Sequence, residues 1–304
     1  MTALPARWRV GALVLAAACW GAGTAVSKQA VAELPPLTLL AVQLAVSVGF
    51  MAVFARLRGD RWPAGREGRL LGRLGLLNPG LAYALSLFGL TQISASLSVL
   101  LWAVEPIFIL ALAAAVLREA VGPAIVAASA VAVCGLVIAV FDPSATGSLV
   151  GVGFTLAGVG ACAIYTVATR RWLPGTSDST VGVVLAQQVN ALAFAAVIVL
   201  VVAAGGGVVL PGHLSAGAIA SAVVSGLLYY AFAYSFYLTA LRTVPASVAA
   251  ASFYLIPIFG VGVAWLFGER LQPLQWVGGA LVVAAVASIT IRGQRALRPA
   301  IATG

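Results

Sequence analysis

The chain has 304 residues, of which 62% are hydrophobic and 8% charged, and its mean hydropathy is +1.09. A soluble domain carries about 25% charged residues, so this composition excludes an ordinary soluble enzyme or receptor module. The formal net charge of +9 reads as the positive-inside bias of a membrane protein. It is not a nucleic-acid footprint, because the arginines fall between apolar spans and not along one polar face.

Apolar runs of about 20 residues, each able to cross a hydrocarbon core of about 30 Å, recur along the whole chain. The first lies near 10–31. Arg7, Arg9 and the run GALVLAAAC up to Cys19 imitate a secretory leader, but the apolar stretch continues to about Ala32, so it is read as a retained span. Further spans are predicted near 36–56, 71–91, 94–117, 121–141, 149–170, 180–203, 214–240, 245–267 and 273–292. Breakers mark the joints: Pro35-Pro36, Trp62-Pro63, Gly122-Pro123, Asp142-Pro143, Pro174-Gly175, Gly205 to Gly207, Pro211-Gly212, Pro245 and Pro273.

The arginines orient these ten spans. With a cytoplasmic N-terminus, the inner segments hold Arg7, Arg9, Arg56, Arg58, Arg61, Arg66, Arg69, Arg73, Arg118, Arg170, Arg171, Arg242, Arg292, Arg295 and Arg298. Only Lys28 and Arg270 fall outside, which favours an even count with both termini inside.

The chain also repeats itself. LTQISASLSVLLWAVEPIF (90–108) aligns without gaps to LRTVPASVAAASFYLIPIF (241–259). Leu90, Ala95, Ser96, Pro106, Ile107 and Phe108 match Leu241, Ala246, Ser247, Pro257, Ile258 and Phe259. After a one-residue gap, Glu119 and Pro123 match Glu269 and Pro273; earlier, Tyr83 matches Tyr234 and Lys28 corresponds to Arg170. Five spans per half is an odd number, so the second half enters the membrane in the opposite sense. The expected fold is an all-α membrane protein, ten helices in two inverted-topology five-helix repeats (1–145 and 146–304), an architecture of alternating-access transporters.

These residues resemble the EamA-type drug/metabolite transporter superfamily over essentially the whole chain. The resemblance is carried by Trp20-Gly21 followed by Lys28, by Pro36-Leu37-Thr38, by ASL…EPIF…E (95–119) and by PAS…PIF…GERLQPLQWVGGAL (245–281). It implies a bacterial inner-membrane carrier, commonly an exporter of amino acids, metabolites or drugs. Members often carry Arg in span 2, where this chain has Gln43.

Transport needs a polar site near the midplane, so ionisable and polar groups inside spans are the candidates. Glu105 lies midway along span 4, as a proton carrier or a ligand for a substrate amine, or else as a packed acid bonded to a neighbouring helix. Ser98, Trp102 and Glu105 share one face at helical spacing. Lys28 could snorkel outward, pair with Glu33 or meet substrate. Gln43, Gln187, Gln188 and Asn190 suit interhelical hydrogen bonds, with substrate contact an alternative for Gln43. Tyr83, Trp102, Tyr229, Tyr230, Tyr234, Tyr237, Phe253 and Tyr254, with Trp20 and Tyr165, could line an aromatic cavity or belong to interfacial belts. Tyr230, Tyr234 and Tyr237 form one stripe.

Small residues in GVGFTLAGVGACA (151–163), such as Gly153, Ala157 and Gly160, and GGAL at 278–281 suit close helix packing within the chain, or a homodimer. Glu119 and Glu269 are expected as caps or exposed ion pairs beside Arg118 and Arg270.

Cys19, Cys134 and Cys162 fall inside spans, and His213 is the only histidine, so neither a disulfide framework nor a metal site is expected. No Walker motif is present, and no acid/base set suggests an enzyme. The expected activity is secondary export of small organic solutes with no cofactor, coupled to protons or to the solute's own gradient. A passive facilitator and a non-transport membrane subunit are the alternatives. The partners are a small-molecule substrate and the lipid bilayer, with no nucleic acid.

Overall fold

The computed structural model describes residues 6–117, 123–140, 148–172, 176–241 and 252–302. Arg118, Glu119, Gly122, Asp142-Pro143, Pro174-Gly175, Arg242, Pro245, Ala246 and Ser247 lie outside the described residues, as do the side chains of Arg7, Arg9, Arg170, Arg171, Tyr254, Arg292, Arg295 and Arg298.

The first half opens with α1 (Ala6–Val31) and α2 (Pro36–Arg58). Pro36 stands at the first turn of α2, where its missing N–H costs nothing. Gly59 ends α2 with φ of 68°, and its N–H bonds the Arg56 carbonyl; glycine is the residue that enters this left-handed region at no steric cost. Next come α3 (Gly65–Arg73), an irregular stretch through residues 74–81, and α4 (Ala82–Gln92).

Inside that stretch Asn78 leaves helical geometry, with φ of −146° and ψ of 118°. Pro79 follows it, and a proline pushes its predecessor to the extended region. Then follow α5 (Ala95–Trp102), α6 (Glu105–Leu117) and α7 (Pro123–Val140). The expected continuous span at 94–117 is therefore two helices. Pro106 has no N–H for the Trp102 carbonyl and its ring crowds that carbonyl, so the helix breaks at Ala103-Val104.

The second half runs through α8 (Leu149–Trp172), α9 (Thr180–Ala204) and α10 (Ala216–Gly226). A wide helical stretch at Leu227–Phe232 leads into α11 (Ala233–Leu241), then α12 (Leu255–Leu266) and α13 (Pro273–Ala302). Six helical segments of the described residues are long and apolar enough to cross a membrane, and four shorter apolar ones join them: Ala95–Ile109, Val126–Ala139, Leu255–Leu266 and Pro273–Ala285.

Packing between the halves is reciprocal. The first helix of each half packs on a short apolar helix of the other, α1 on α12 and α8 on α6. In the same way α4 packs on α8 and α11 on α1, while α2 meets α9 and α7 meets α13.

Glycines permit the closest approaches. A Cβ on Gly226 would sit 2.7 Å from the Gln43 carbonyl oxygen, so α10 could not reach α2 with any larger residue. Gly75 makes the corresponding approach to the Gln187 backbone. On α8 the close contacts are made by Gly151 and Gly158, whereas Gly153 faces open space; in GGAL, Gly278 meets the Gly135 carbonyl and Gly279 meets Leu100.

Acids from one half cap helices of the other. Glu269 accepts from the N–H groups of Ala95 (2.9 Å) and Ser96 (3.0 Å) and from the Ser96 hydroxyl (2.9 Å). Those are orphan donors at the start of α5. Glu33 accepts from the Ser215 N–H (2.8 Å) and hydroxyl (2.7 Å) at the start of α10, and these bonds hold its carboxyl below the usual range. Arg270 forms no ion pair with Glu269; its guanidinium lies 4.6 Å over Trp265.

Candidate functional site

A cavity of about 250 Å³ lies between the halves. From the first half it is lined by Trp20 and Thr24 of α1, Asn78 at the kink, Tyr83 of α4, Val99 and Trp102 of α5, and Glu105 of α6. From the second half come Cys162, Tyr165, Thr166 and Thr169 of α8, Tyr229, Tyr234, Tyr237 and Leu238, and then Phe253 and Ile256.

The lining residues pair through the repeat. The gapless alignment sets Trp102 against Phe253 and Glu105 against Ile256, and its extension sets Asn78 against Tyr229 and Tyr83 against Tyr234. The Lys28–Arg170 correspondence, carried down the helices, sets Trp20 against Cys162 and Thr24 against Thr166. Both members of each pair reach the cavity.

The aromatic wall is locked by edge contacts. Trp20 meets Tyr234, Tyr237 and Phe253 at ring distances of 5.6, 5.4 and 5.6 Å. Tyr83 stacks on Trp102 at 5.6 Å and meets Tyr229 edge-on at 4.9 Å. Such pairs fix ring orientation as well as burying area. The Trp102 indole N–H donates to Ser86 (3.0 Å), Thr24 and Tyr229 share a 2.9 Å hydrogen bond, and the Tyr165 hydroxyl donates to Gln187 (3.0 Å).

Glu105 is 7% exposed and stands in the first turn of α6, the helix end that best tolerates a carboxylate. Its partner comes from the other half. The Thr166 hydroxyl donates to Oε1 over a long 3.4 Å, and Cys162, one turn earlier on α8, lines the same cavity. Among the described residues, none that lines the cavity is Lys, Arg or His. Three buried polar atoms of the lining lack a hydrogen-bond partner among the described residues: the donor Trp20 Nε1, the acceptor Asn78 Oδ1 and the Thr169 hydroxyl.

Of the residues singled out from the sequence, the cavity brings together Glu105, Trp102, Tyr83, Trp20, Tyr165 and Tyr234, and with them the aromatics Tyr229, Tyr237 and Phe253. The side chain of Tyr254 lies outside the described residues. Lys28 and Gln43 do not line it. The Lys28 ammonium donates to the Leu90 and Ile93 carbonyls, both at 2.7 Å, where the break after α4 leaves carbonyls unpaired. It neither pairs with Glu33 nor extends outward. Gln43 Nε2 donates to Ser27 (2.9 Å) and Ser225 (2.6 Å), joining α2 to α1 and α10.

Gln188 donates to the Tyr230 carbonyl at 2.7 Å and Asn190 to Ala186 at 2.8 Å, so both serve packing. Ser98 is buried beside the cavity without lining it. The expected stripe at Tyr230 also shifts. The wide turn at Leu227–Phe232 inserts extra backbone, so Tyr229 faces the cavity in its place.

Sequence reasoning missed Asn78, Thr24, Cys162, Thr166 and Thr169 as lining residues. The signal for Asn78 was the Asn-Pro pair inside an apolar run, which predicts a kink with an exposed amide.

The model of the EamA-like transporter family matches twice, over residues 7–141 and 149–291. The chain belongs to the EamA-like transporter family. This EamA-family chain is thus a multi-pass membrane protein of the drug/metabolite transporter type, built from two copies of the family's unit. One solved structure, described only as the crystal structure of a protein, superposes with a TM-score of 0.63 at 19% identity, covering 93% of the EamA-family chain and 96% of its own. That likeness shows the fold alone. No protein with a curated description matches by sequence.

Proposed function

We propose that the protein is a secondary carrier that exports small organic solutes across a bacterial cytoplasmic membrane by alternating access, with Glu105 carrying the coupling proton. Ten spans in two inverted repeats, with both termini cytoplasmic, complete this reading. The observation that carries it is a cavity to which both halves contribute matched positions. A shared site with two equivalent walls is what a rocking mechanism needs.

The two ends of the cavity differ. One end is tied by Lys28 on the Leu90 and Ile93 carbonyls and by Glu269 on the start of α5. The lining continues the other way, to Thr169 and Leu238, three residues from the last residues of α8 and α11. The arginine distribution favours a cytoplasmic second end, and in this reading the arrangement is the inward-facing state.

The test has two stages. Overexpressing cells are screened for released metabolites, and a released compound is then offered to proteoliposomes under an imposed pH gradient. Accumulation against the solute's own gradient is expected. Equilibration without accumulation would identify a passive facilitator and reject the coupled carrier.

A further inference from the structure

The chemistry of the lining narrows the solute. Among the described lining residues Glu105 is the one carboxylate, and none of them is cationic. A bound carboxylate would therefore meet an acid with no compensating base, in a site where charge–charge terms are weakly screened. A bound ammonium would instead meet the carboxylate and an aromatic lining in which Tyr234 and Phe253 each stand edge-on to Trp20.

The buried amide adds a second acceptor. Asn78 is 2% exposed, its Oδ1 has no partner among the described residues, and the kink before Pro79 turns it to the cavity. A buried acceptor left unpaired is costly, so a ligand N–H or O–H at this position is the natural complement. The Trp20 indole N–H is the matching free donor, suited to a neutral acceptor on the ligand. The volume of about 250 Å³ falls just below the range of about 300–1,000 Å³ that holds drug-sized ligands.

We propose that the cavity takes a small organic ammonium compound and rejects its carboxylate-bearing counterparts. The cationic nitrogen sits between Glu105 and Asn78, and the apolar body lies against the Trp20 wall. This rests on the carrier reading only in that the same cavity is the transport site. Zwitterionic amino acids are disfavoured relative to the amines that lack their carboxylate.

The test is a matched series on purified full-length protein in nanodiscs, read by tryptophan fluorescence because Trp20 and Trp102 line the cavity. The probes are phenethylamine, phenylalanine, 3-phenylpropionate and 2-phenylethanol. Phenethylamine is expected to bind at least about tenfold tighter than phenylalanine, with the anion weakest, since each tenfold step is a modest electrostatic difference. Glu105→Gln should remove the preference for the amine over the alcohol, and Asn78→Leu should weaken the amine a few-fold with the order of the series kept.

Equal or tighter binding of phenylalanine or phenylpropionate overturns the proposal, as does binding of none of the four or a preference that survives Glu105→Gln. Counterflow of trimethyl(phenethyl)ammonium, whose fixed charge keeps it from crossing lipid alone, separates the two readings. Charge-selective binding without counterflow keeps the substrate class and removes the carrier. Counterflow of phenylalanine or 3-phenylpropionate as fast as that of the fixed-charge ammonium keeps the carrier and removes the class.

Discussion

The two walls of the cavity have the same frame and different chemistry. In the first half α5 and α6 present Trp102 and Glu105; in the second half the copied positions present Phe253 and Ile256. In the first half α1 presents Trp20 and Thr24, and in the second α8 presents Cys162 and Thr166. Frame positions are retained because both walls must pack in the same reciprocal way. The acid is needed once, since two facing carboxylates in a dry site would repel each other. Under the proposed carrier reading, the symmetry of the repeat serves motion, and its violation at position 105 serves chemistry.

The sharpest way to break this comparison is to remove the difference. Glu105→Gln keeps the shape and deletes the charge, so pH-driven accumulation in proteoliposomes should fall to background while the thermal midpoint stays near that of the parent. Retained pH-driven transport would remove Glu105 from coupling.

Moving the acid to the other wall is the next test. In the Glu105→Gln, Ile256→Glu double variant the new carboxylate faces α1, where Trp20 Nε1 is an unpaired donor. Ammonium binding should recover to within about tenfold of the parent, because a hydrogen-bonded buried charge is far cheaper than a bare one. No recovery would mean that the walls are not equivalent as positions.

A smaller effect is expected where the halves are joined away from the cavity. Gln43→Leu strands Ser27 and Ser225, and should cost about 1–2 kcal/mol of stability by detergent melting with ligand affinity unchanged. A large loss of affinity with little loss of stability would return Gln43 to the site.

The smallest effect concerns Glu33, whose exposed carboxyl is held below its ordinary value of 4.5 by the Ser215 N–H and hydroxyl. A carboxyl with a depressed folded value stabilises the fold above its ordinary value, and that contribution is lost as pH falls through the depressed one. Glu33→Gln should therefore flatten the acid limb of stability below about pH 4.5 and shift α10 capping slightly at neutral pH. An unchanged acid limb would show that the Ser215 contact is not kept in solution.

The all-helical, two-repeat frame was legible in the sequence, because span length and the matched Ala-Ser, Pro and Glu residues are periodic or countable. The structure supplies a reason for one of those matches: Glu269, from the second copy, caps Ala95-Ser96 of the first. Glu105 was legible as a carboxylate in an apolar run. Lys28 and Gln43 looked equally eligible, yet a polar group on a buried helix can turn to a cavity or to a neighbouring backbone, and helix rotation decides which. That rotation is a tertiary property. Asn78 and Tyr229 owe their positions to local departures from α geometry, which shift every side chain beyond them and leave only faint marks in composition.

The central claim is that one cavity, shared by both halves, opens to one side at a time. Its most direct test is labelling of Cys162, the thiol beside Glu105, with an impermeant maleimide in oriented vesicles after Cys19→Ser and Cys134→Ser substitution. The account predicts reaction from the cytoplasmic side only in the ligand-free protein, protection by trimethyl(phenethyl)ammonium, and reaction from the outer side once Lys28→Met releases the tie to Leu90 and Ile93. Equal reaction from both sides at once in the unmodified gate would describe an open channel and contradict it.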